Sequence, residues 1–314
     1  MKAVFLSGGT GTPKLLLGVR EILPDHELAV ITNPGDDLEW NGLLVCPDLD
    51  TVLYLFSNKL DSEKFWGLED ETFNALETLK SLRAEMPWFN IGDKDLGLHV
   101  WRTNQLRQGK TLTEITAELL KAWNIGSSIF PPTNGTVRTH IVLDNNKKIG
   151  FQEFWVKSKG MVEIKDVIFE KRQAIITEKA RQILESDAPL IIGPSNPVSS
   201  IGPILAVDPV RKILQSKRDS VFAISPFIGR KAFSGPAAKM ISAKGYEPSS
   251  KGLAEMYSDV IGTIVIHSSD ENQSLEIKKE GVSVISTDTY LSTQEQRMKL
   301  AAFVLKKSGV LENP

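Results

Sequence analysis

Four aspartates crowd one stretch of the chain: Asp36 and Asp37 in NPGDDLEWNG (33–42), Asp48 and Asp50 in CPDLDT (46–51). Carboxylates so grouped can hold Mg²⁺ through one or two direct bonds, leaving its other positions to the phosphate oxygens of a ligand. Each has an ordinary use when taken alone, Asp36 and Asp37 as turn residues and Asp50 as the cap of a helix beginning at Thr51. Four together favour the cation. Two loops rich in glycine and serine supply the complementary chemistry. In SGGTGTPK (7–14) the glycines admit a ligand close to the backbone, and the helix behind them turns its partial positive charge toward phosphate. This is not a Walker A sequence, and Pro13 or Lys14 stands where a dinucleotide fingerprint needs its third glycine. A tight turn with no ligand is the plain alternative. In LIIGPSNPVSSIGPIL (190–205), Ser195, Asn196, Ser199 and Ser200 can donate to phosphate or read a base edge, and Pro194 and Pro197 stiffen the loop beforehand. GPSNP ends in proline where a GxSxG nucleophile elbow ends in glycine, which argues against a serine hydrolase.

A further stretch, PWFNIGDKDLGLHVWRT (87–103), sets Trp88 and Phe89 ahead of a loop whose Asp93 and Asp95 lead into a helix. Such aromatics serve a core or stack on a planar heterocycle, and acids in a first helical turn suit the macrodipole. His99 follows Asp95 at the spacing of a helical pair; with neither HExxH nor a third ligand beside it, the pair does not read as a metal site. His26, His140 and His267 show no ligand pattern, and the single Cys46 excludes an internal disulfide and any CxxC site.

These loops need strands and helices to carry them. KAVFLS (2–7) reads as a strand, the apolar period from Pro13 through Leu15, Leu16, Val19 and Ile22 as a helix, ELAVIT as a second strand ending at Thr32, and 50–59 as another helix. From about 60 to 130 the signals are helical, with a capping box at Thr111 and Glu114. TVRTHIVLD and KIGFQEFWV flank an Asn145-Asn146 turn as a hairpin, and MVEIKDVIFE offers a third strand. A helix near 177–186 follows, then strands near 188–193, 219–225, 260–267 and 281–286, and a closing helix from Ser292 with a capping box to Glu295. The fold class is α/β, a Rossmann-like doubly wound parallel sheet from 1–59 and 170–314, interrupted by an inserted helical plus antiparallel (α+β) subdomain at 60–169. In such sheets ligands sit beyond the carboxyl ends of the strands, where both small-residue loops fall.

Composition removes other classes. Against 39 Asp+Glu stand 37 Lys+Arg, a formal charge of -2 that offers nothing to nucleic acid or anionic lipid. The 314 residues, 41% hydrophobic, suffice for a real core, and MKAVFLSGG is too short for a signal h-region. No stretch approaches a membrane span, so the expected home is cytoplasmic.

With these residues in view, the chain resembles the 2-phospho-L-lactate transferase family along nearly its whole length. The resemblance is carried by SGGTG (7–11), GDD (35–37), GLLVCPDLDT (42–51), PWFNIGDKDL (87–96), RTNQLRQGKTLTEIT, GPSNPVSSIGPIL (193–205) and SPFIGRKAFSGPAAKM (225–240). It departs at Thr12 and Pro13, where the family commonly shows glycine and alanine, and at Asn134 and Gly135, where an acidic pair is common. That last loop is therefore given no metal role. The family implies deazaflavin coenzyme biosynthesis. A phospholactyl group delivered as lactyl-2-diphospho-5'-guanosine passes to a hydroxyl of 7,8-didemethyl-8-hydroxy-5-deazariboflavin, and GMP departs. Phospholactate and its enol relative, phosphoenolpyruvate, differ only at a small apolar corner, and the motifs fit either. The resemblance further implies Mg²⁺ held by Asp36, Asp48 and Asp50, with Asp50 also catalytic at the acceptor. Gly9, Thr10 and Gly11 would lie against phosphate, and Ser195, Asn196, Ser199 and Lys239 on the guanosine side. Asn33, Asp37 and Thr51 would bind substrate, Trp88 and Phe89 would meet the flavin-like ring, and a homodimer is implied. The rival from another class is a non-catalytic nucleotide-sugar-binding regulator with a similar GGTG loop; its DDGGSSG run is missing here, where Asp37 is followed by Leu-Glu-Trp. A dinucleotide oxidoreductase would need an acid at the end of the second strand, where Asn33 stands.

Overall fold

A computed structural model describes residues 1–233 and 235–312. Strand β1 (Ala3–Ser7) leads through the first glycine loop into α1 (Gly11–Arg20), and β2 (Leu28–Thr32) follows. Every residue of β1 and β2 is buried, as befits strands covered on both faces. The hairpin β3 (Leu38–Trp40) and β4 (Leu43–Val45) then delivers the chain to α2 (Pro47–Phe56). Three helices come next: α3 (Asn74–Ser81), α4 (Asp93–Arg107) and α5 (Leu112–Ala122). Strand β5 (Ser128–Phe130) precedes an antiparallel sheet of β6 (Thr136–Val142), β7 (Lys148–Gly150) and β8 (Asp166–Arg172). The remaining strands are β9 (Leu190–Ile192), β10 (Val221–Ile224), the ribbon β11 (Phe227–Ile228) and β12 (Lys231–Ala232), β13 (Thr263–His267) and β14 (Ser283–Thr287).

Seven strands form one parallel sheet in the order β14-β13-β10-β9-β1-β2-β5. Read from the other edge in order of appearance, that is the doubly wound 3-2-1-4-5-6 arrangement with a seventh strand added, and its switch point lies between β1 and β9. The parallel, helix-flanked sheet expected from the sequence is present, with antiparallel structure between its halves. A small separate cluster of Trp40, Val45, Leu76 and Ile91 gives the region around α3 its own core. Among the described residues no helix is long and apolar enough to cross a membrane.

Four local expectations change. Ser128–Phe130 lies in the stretch read as helical, yet pairs in parallel with β2, Val30 opposite Ile129. Three residues are too few for a period, and burial against β2 decides their conformation. KIGFQEFWV extends only through Gly150, and Glu153–Lys157 coil instead into a short helix that seats Phe154 in the core. The α2 helix begins at Pro47, a favoured first helical position, so Asp48 and Asp50 both stand in its first turn and Asp50 is not its cap. The closing helix Gln294–Lys307 is capped by Thr293 with Gln296, one residue beyond the expected pair; the overlapping STQEQ contains the pattern twice. The box at Thr111 and Glu114 forms as expected.

Candidate active site

Adjacency of β1 and β9 brings the two small-residue loops together across 183 positions of sequence. They touch so closely that side chains are excluded: a Cβ on Gly11 would stand 2.0 Å from the Pro194 carbonyl oxygen, and one on Gly8 2.7 Å from Ser200 Cβ. Gly9 takes φ +59°, the left-handed region that glycine enters freely. Ser195 ties the loops, its hydroxyl donating to the Gly8 carbonyl and lying 2.7 Å from Thr12 Oγ1. Asn196 Oδ1 accepts from Val198 N at 3.0 Å and Ser199 N at 3.3 Å, capping the turn that follows. Ser199 Oγ is buried with no hydrogen-bond partner among the described residues.

The acidic cluster is wired into these loops. Asp48 accepts from Gly9 N at 2.8 Å and, with its other oxygen, from Asn33 Nδ2 at 2.7 Å. Asn33 also donates to the Ser199 carbonyl at 3.0 Å and accepts from Gly35 N at 2.8 Å, so it joins the ends of β1, β2 and β9. Burial raises Asp36 well above the usual carboxylate range, and the charges of Asp48 and Asp37 add to the effect. Burial likewise brings Asp48 to about 6 against the hydrogen bonds from Asn33 and Gly9, and Asp37 to about 7 against Arg138 and Arg102. Among the described residues Asp36 Oδ1 has no hydrogen-bond partner. Several buried acids with raised pKa and an orphaned oxygen fit a bound cation, which would offset the repulsion that burial concentrates.

A second polar network joins α2 to α4. Arg102, fully buried, grips both oxygens of Asp50, one of them at 3.0 Å from Nη1. The same Nη1 lies 3.4 Å from His99 Nδ1, and His99 Nε2 lies 3.2 Å from Asp95 Oδ1, off the line of a hydrogen bond. Tyr54 hydroxyl donates to that Asp95 oxygen. Burial pushes Asp95 up, but His99, Tyr54 and Arg102 together hold it below its ordinary value. Asp50, Asp95 and His99 each offer a ligand atom within 4.8 Å of the others, so the third group missing from the sequence comes from α2. The metal grouping of Asp50, Asp95 and His99 overlaps the expected set only at Asp50.

One cavity of about 720 Å³ opens between these parts. Gly9, Thr10 and Gly11 line it on one side, Ser195, Asn196 and Ser199 on another, and Asp36, Asp48, Asp50 and Thr51 between them. Phe89 lines it too, while Trp88 faces a neighbouring cavity of about 510 Å³ together with Asp37, Arg138 and His140; Asp36 borders both. Lys239 is not among the lining residues. Its ammonium donates to the Val162 carbonyl at 3.0 Å and pairs with Glu163 at 3.1 Å. Sequence reasoning passed over Tyr54 and Arg102. Arg102 had a signal, since Asp95, His99 and Arg102 recur at helical spacing on one face of α4. Trp66 and Trp155, also on the cavity wall, had none of that kind.

A sequence model described as 2-phospho-L-lactate transferase CofD matches residues 3–304. The 2-phospho-L-lactate transferase of Methanococcoides burtonii is 41% identical over 293 residues, covering 93% of this chain and 94% of that protein. That of Methanocaldococcus jannaschii is 39% identical over 310 residues, covering 98% of each. Among solved structures, a member of the UPF0052 family from Bacillus halodurans is similar with a TM-score of 0.64 at 16% identity, over 98% of this chain and 100% of that one, a likeness of fold.

Proposed function

The chain belongs to the 2-phospho-L-lactate transferase family, and from that premise we propose that it moves phospholactate from lactyl-2-diphospho-5'-guanosine to 7,8-didemethyl-8-hydroxy-5-deazariboflavin. The observation that carries this reading is that both small-residue loops and the carboxylates between them border a single cavity. The acceptor's ribityl hydroxyl attacks the phosphorus bearing lactate. The bond from that phosphorus to the bridging oxygen breaks, and GMP leaves with the oxygen. Gly9, Thr10 and Gly11, at the start of α1, receive the diphosphate; Ser195, Asn196 and Ser199 face the guanosine side; Asn33 and Thr51 fix groups around them.

Mg²⁺ is the cation this reading calls for, with Asp36 and Asp48 as its holders and Asp50 beside them. When bound, it supplies charge neutralisation on the diphosphate. Oxygen ligands suit Mg²⁺ better than the imidazole of His99, and the Arg102 guanidinium already occupies Asp50 from the α4 side. Asp50 takes the proton of the attacking hydroxyl. A loose phosphoryl transition state asks little of its base beyond position. Segment 60–169 carries the acceptor side through Phe89, and the family reading brings with it a cytoplasmic location and a homodimer.

The test incubates the purified chain with deazariboflavin, Mg²⁺ and guanylated phospholactate, with the guanylated enol acid as a parallel arm. Stoichiometric GMP and a phosphodiester product are expected. If GDP binds but neither donor yields GMP, the chain is a binding protein of the regulator kind instead.

A further inference from the structure

Two Phe-Trp pairs, Phe65-Trp66 and Phe154-Trp155, fall in segments that the transfer chemistry leaves unused. In each, the phenylalanine is buried, at 4% and 0% exposure, while its neighbouring tryptophan stays open to solvent at 51% and 40%. Both indoles border the larger cavity, whose wall also includes Asp50, Tyr54 and Phe89. Large aromatic surface left half in water at the wall of a cavity is surface that a planar ligand can cover.

The backbone that bears each indole is ordered by local hydrogen bonds. The loop bearing Trp66 closes on itself: Asp61 N donates to the Gly67 carbonyl at 3.1 Å, Phe65 N to the Asp61 carbonyl at 2.9 Å, and Glu69 N to the Lys59 carbonyl at 3.0 Å. Phe65 sits at φ +60°, where a bulky residue is rare, and its ring lies between Lys14 Nζ and Arg297 Cζ, each 4.8 Å from the centroid. Trp155 leans over a turn in which Gly160 N donates to the Phe154 carbonyl at 2.9 Å. A Cβ on Gly160 would meet the indole at 3.0 Å, so glycine is what lets the ring rest there. Loops ordered before binding lose little freedom when a ligand arrives.

We propose that Trp66 and Trp155 bind the tricyclic ring of the acceptor by stacking, and so set the preference of this site for a planar heteroaromatic alcohol. The proposal rests on the functional reading above and adds the residues that read the ring. Both tryptophans come from segment 60–169, as does Phe89; neither belongs to the loops after β1 and β9 that face the nucleotide. A ring resting on these indoles can reach the acids with its ribityl chain, since Asp36, Asp48 and Asp50 line the same cavity.

The full chain, with Mg²⁺ present, is titrated with deazariboflavin and separately with GDP, following tryptophan fluorescence and heat. Trp66→Ala and Trp155→Ala should each weaken deazariboflavin roughly tenfold, the scale of one aromatic stack, and leave GDP unchanged. Trp→Phe at either position should recover most of the loss, and in turnover the effect should fall on the acceptor KM more than on kcat. Deazariboflavin binding as tight as wild type in both alanine variants overturns the proposal, as does an equal loss of GDP affinity. A wild-type chain that binds GDP but no deazariboflavin overturns the functional reading itself, and this inference with it.

Discussion

Asp50 gives both carboxylate oxygens to Arg102, and neither side chain has appreciable contact with water. Replacing Asp50 by Asn therefore removes more than the proposed proton acceptor, because it leaves a buried guanidinium without its counter-charge. Breaking such a pair costs about 3–5 kcal/mol. Asp50→Asn should lower transfer by at least about 10²-fold and also shift the denaturation midpoint. The double variant Asp50→Asn/Arg102→Met separates the two effects: urea unfolding should return toward wild type while GMP release stays low. Recovery of activity in the double variant would make Asp50 a scaffold residue only. The acids were legible in the sequence because four of them fall so close together, whereas Arg102 showed only its helical spacing from Asp95 and His99 and not its partner. That spacing puts Arg102 on the face of Asp95 and His99 but does not say that the face is buried, and its pairing with Asp50 exists only once α4 lies across the start of α2.

At the scale of elements, contact between the loops after β1 and β9 leaves no room for a methyl group at Gly11. Gly11→Ala would drive a Cβ onto the Pro194 carbonyl oxygen, a backbone atom that cannot swing aside. We expect about 1–3 kcal/mol of destabilisation from the forced separation and a clear loss of GDP affinity, read by thermal melts and calorimetry. Unchanged GDP binding would mean that the two loops do not act as one cradle. Both loops were readable as small-residue turns at strand ends, because glycine, serine and proline break the apolar runs before them. Their meeting was not, because it depends on sheet order. One edge strand of that sheet, β5, is a three-residue SIF with no alternation to announce it, and Glu153–Lys157 coil because Phe154 must reach the core. Short elements obey their tertiary neighbours before their own propensity.

For the whole molecule, burial of Asp48 and Asp37 carries a pH signature. Their folded values of about 6 and about 7 lie above the unfolded value of 3.8, so the native state binds protons more tightly. Their contribution is fully present below pH 3.8 and is lost as pH rises through 6 and 7. From these groups the metal-free protein should become less stable as pH rises from 3.8 to about 7, the range over which the folded state holds protons that the unfolded state has lost. Added Mg²⁺ should raise the melting temperature more at the higher pH than at the lower. Equal shifts at both pH values would place the ion elsewhere. The order of the sheet has one more outcome, in the timing of synthesis. Since β9 lies at 190–192 and must slot in beside β1, a nascent chain that has emerged only through residue 169 carries every acid of the cluster and yet has no chamber for them to line.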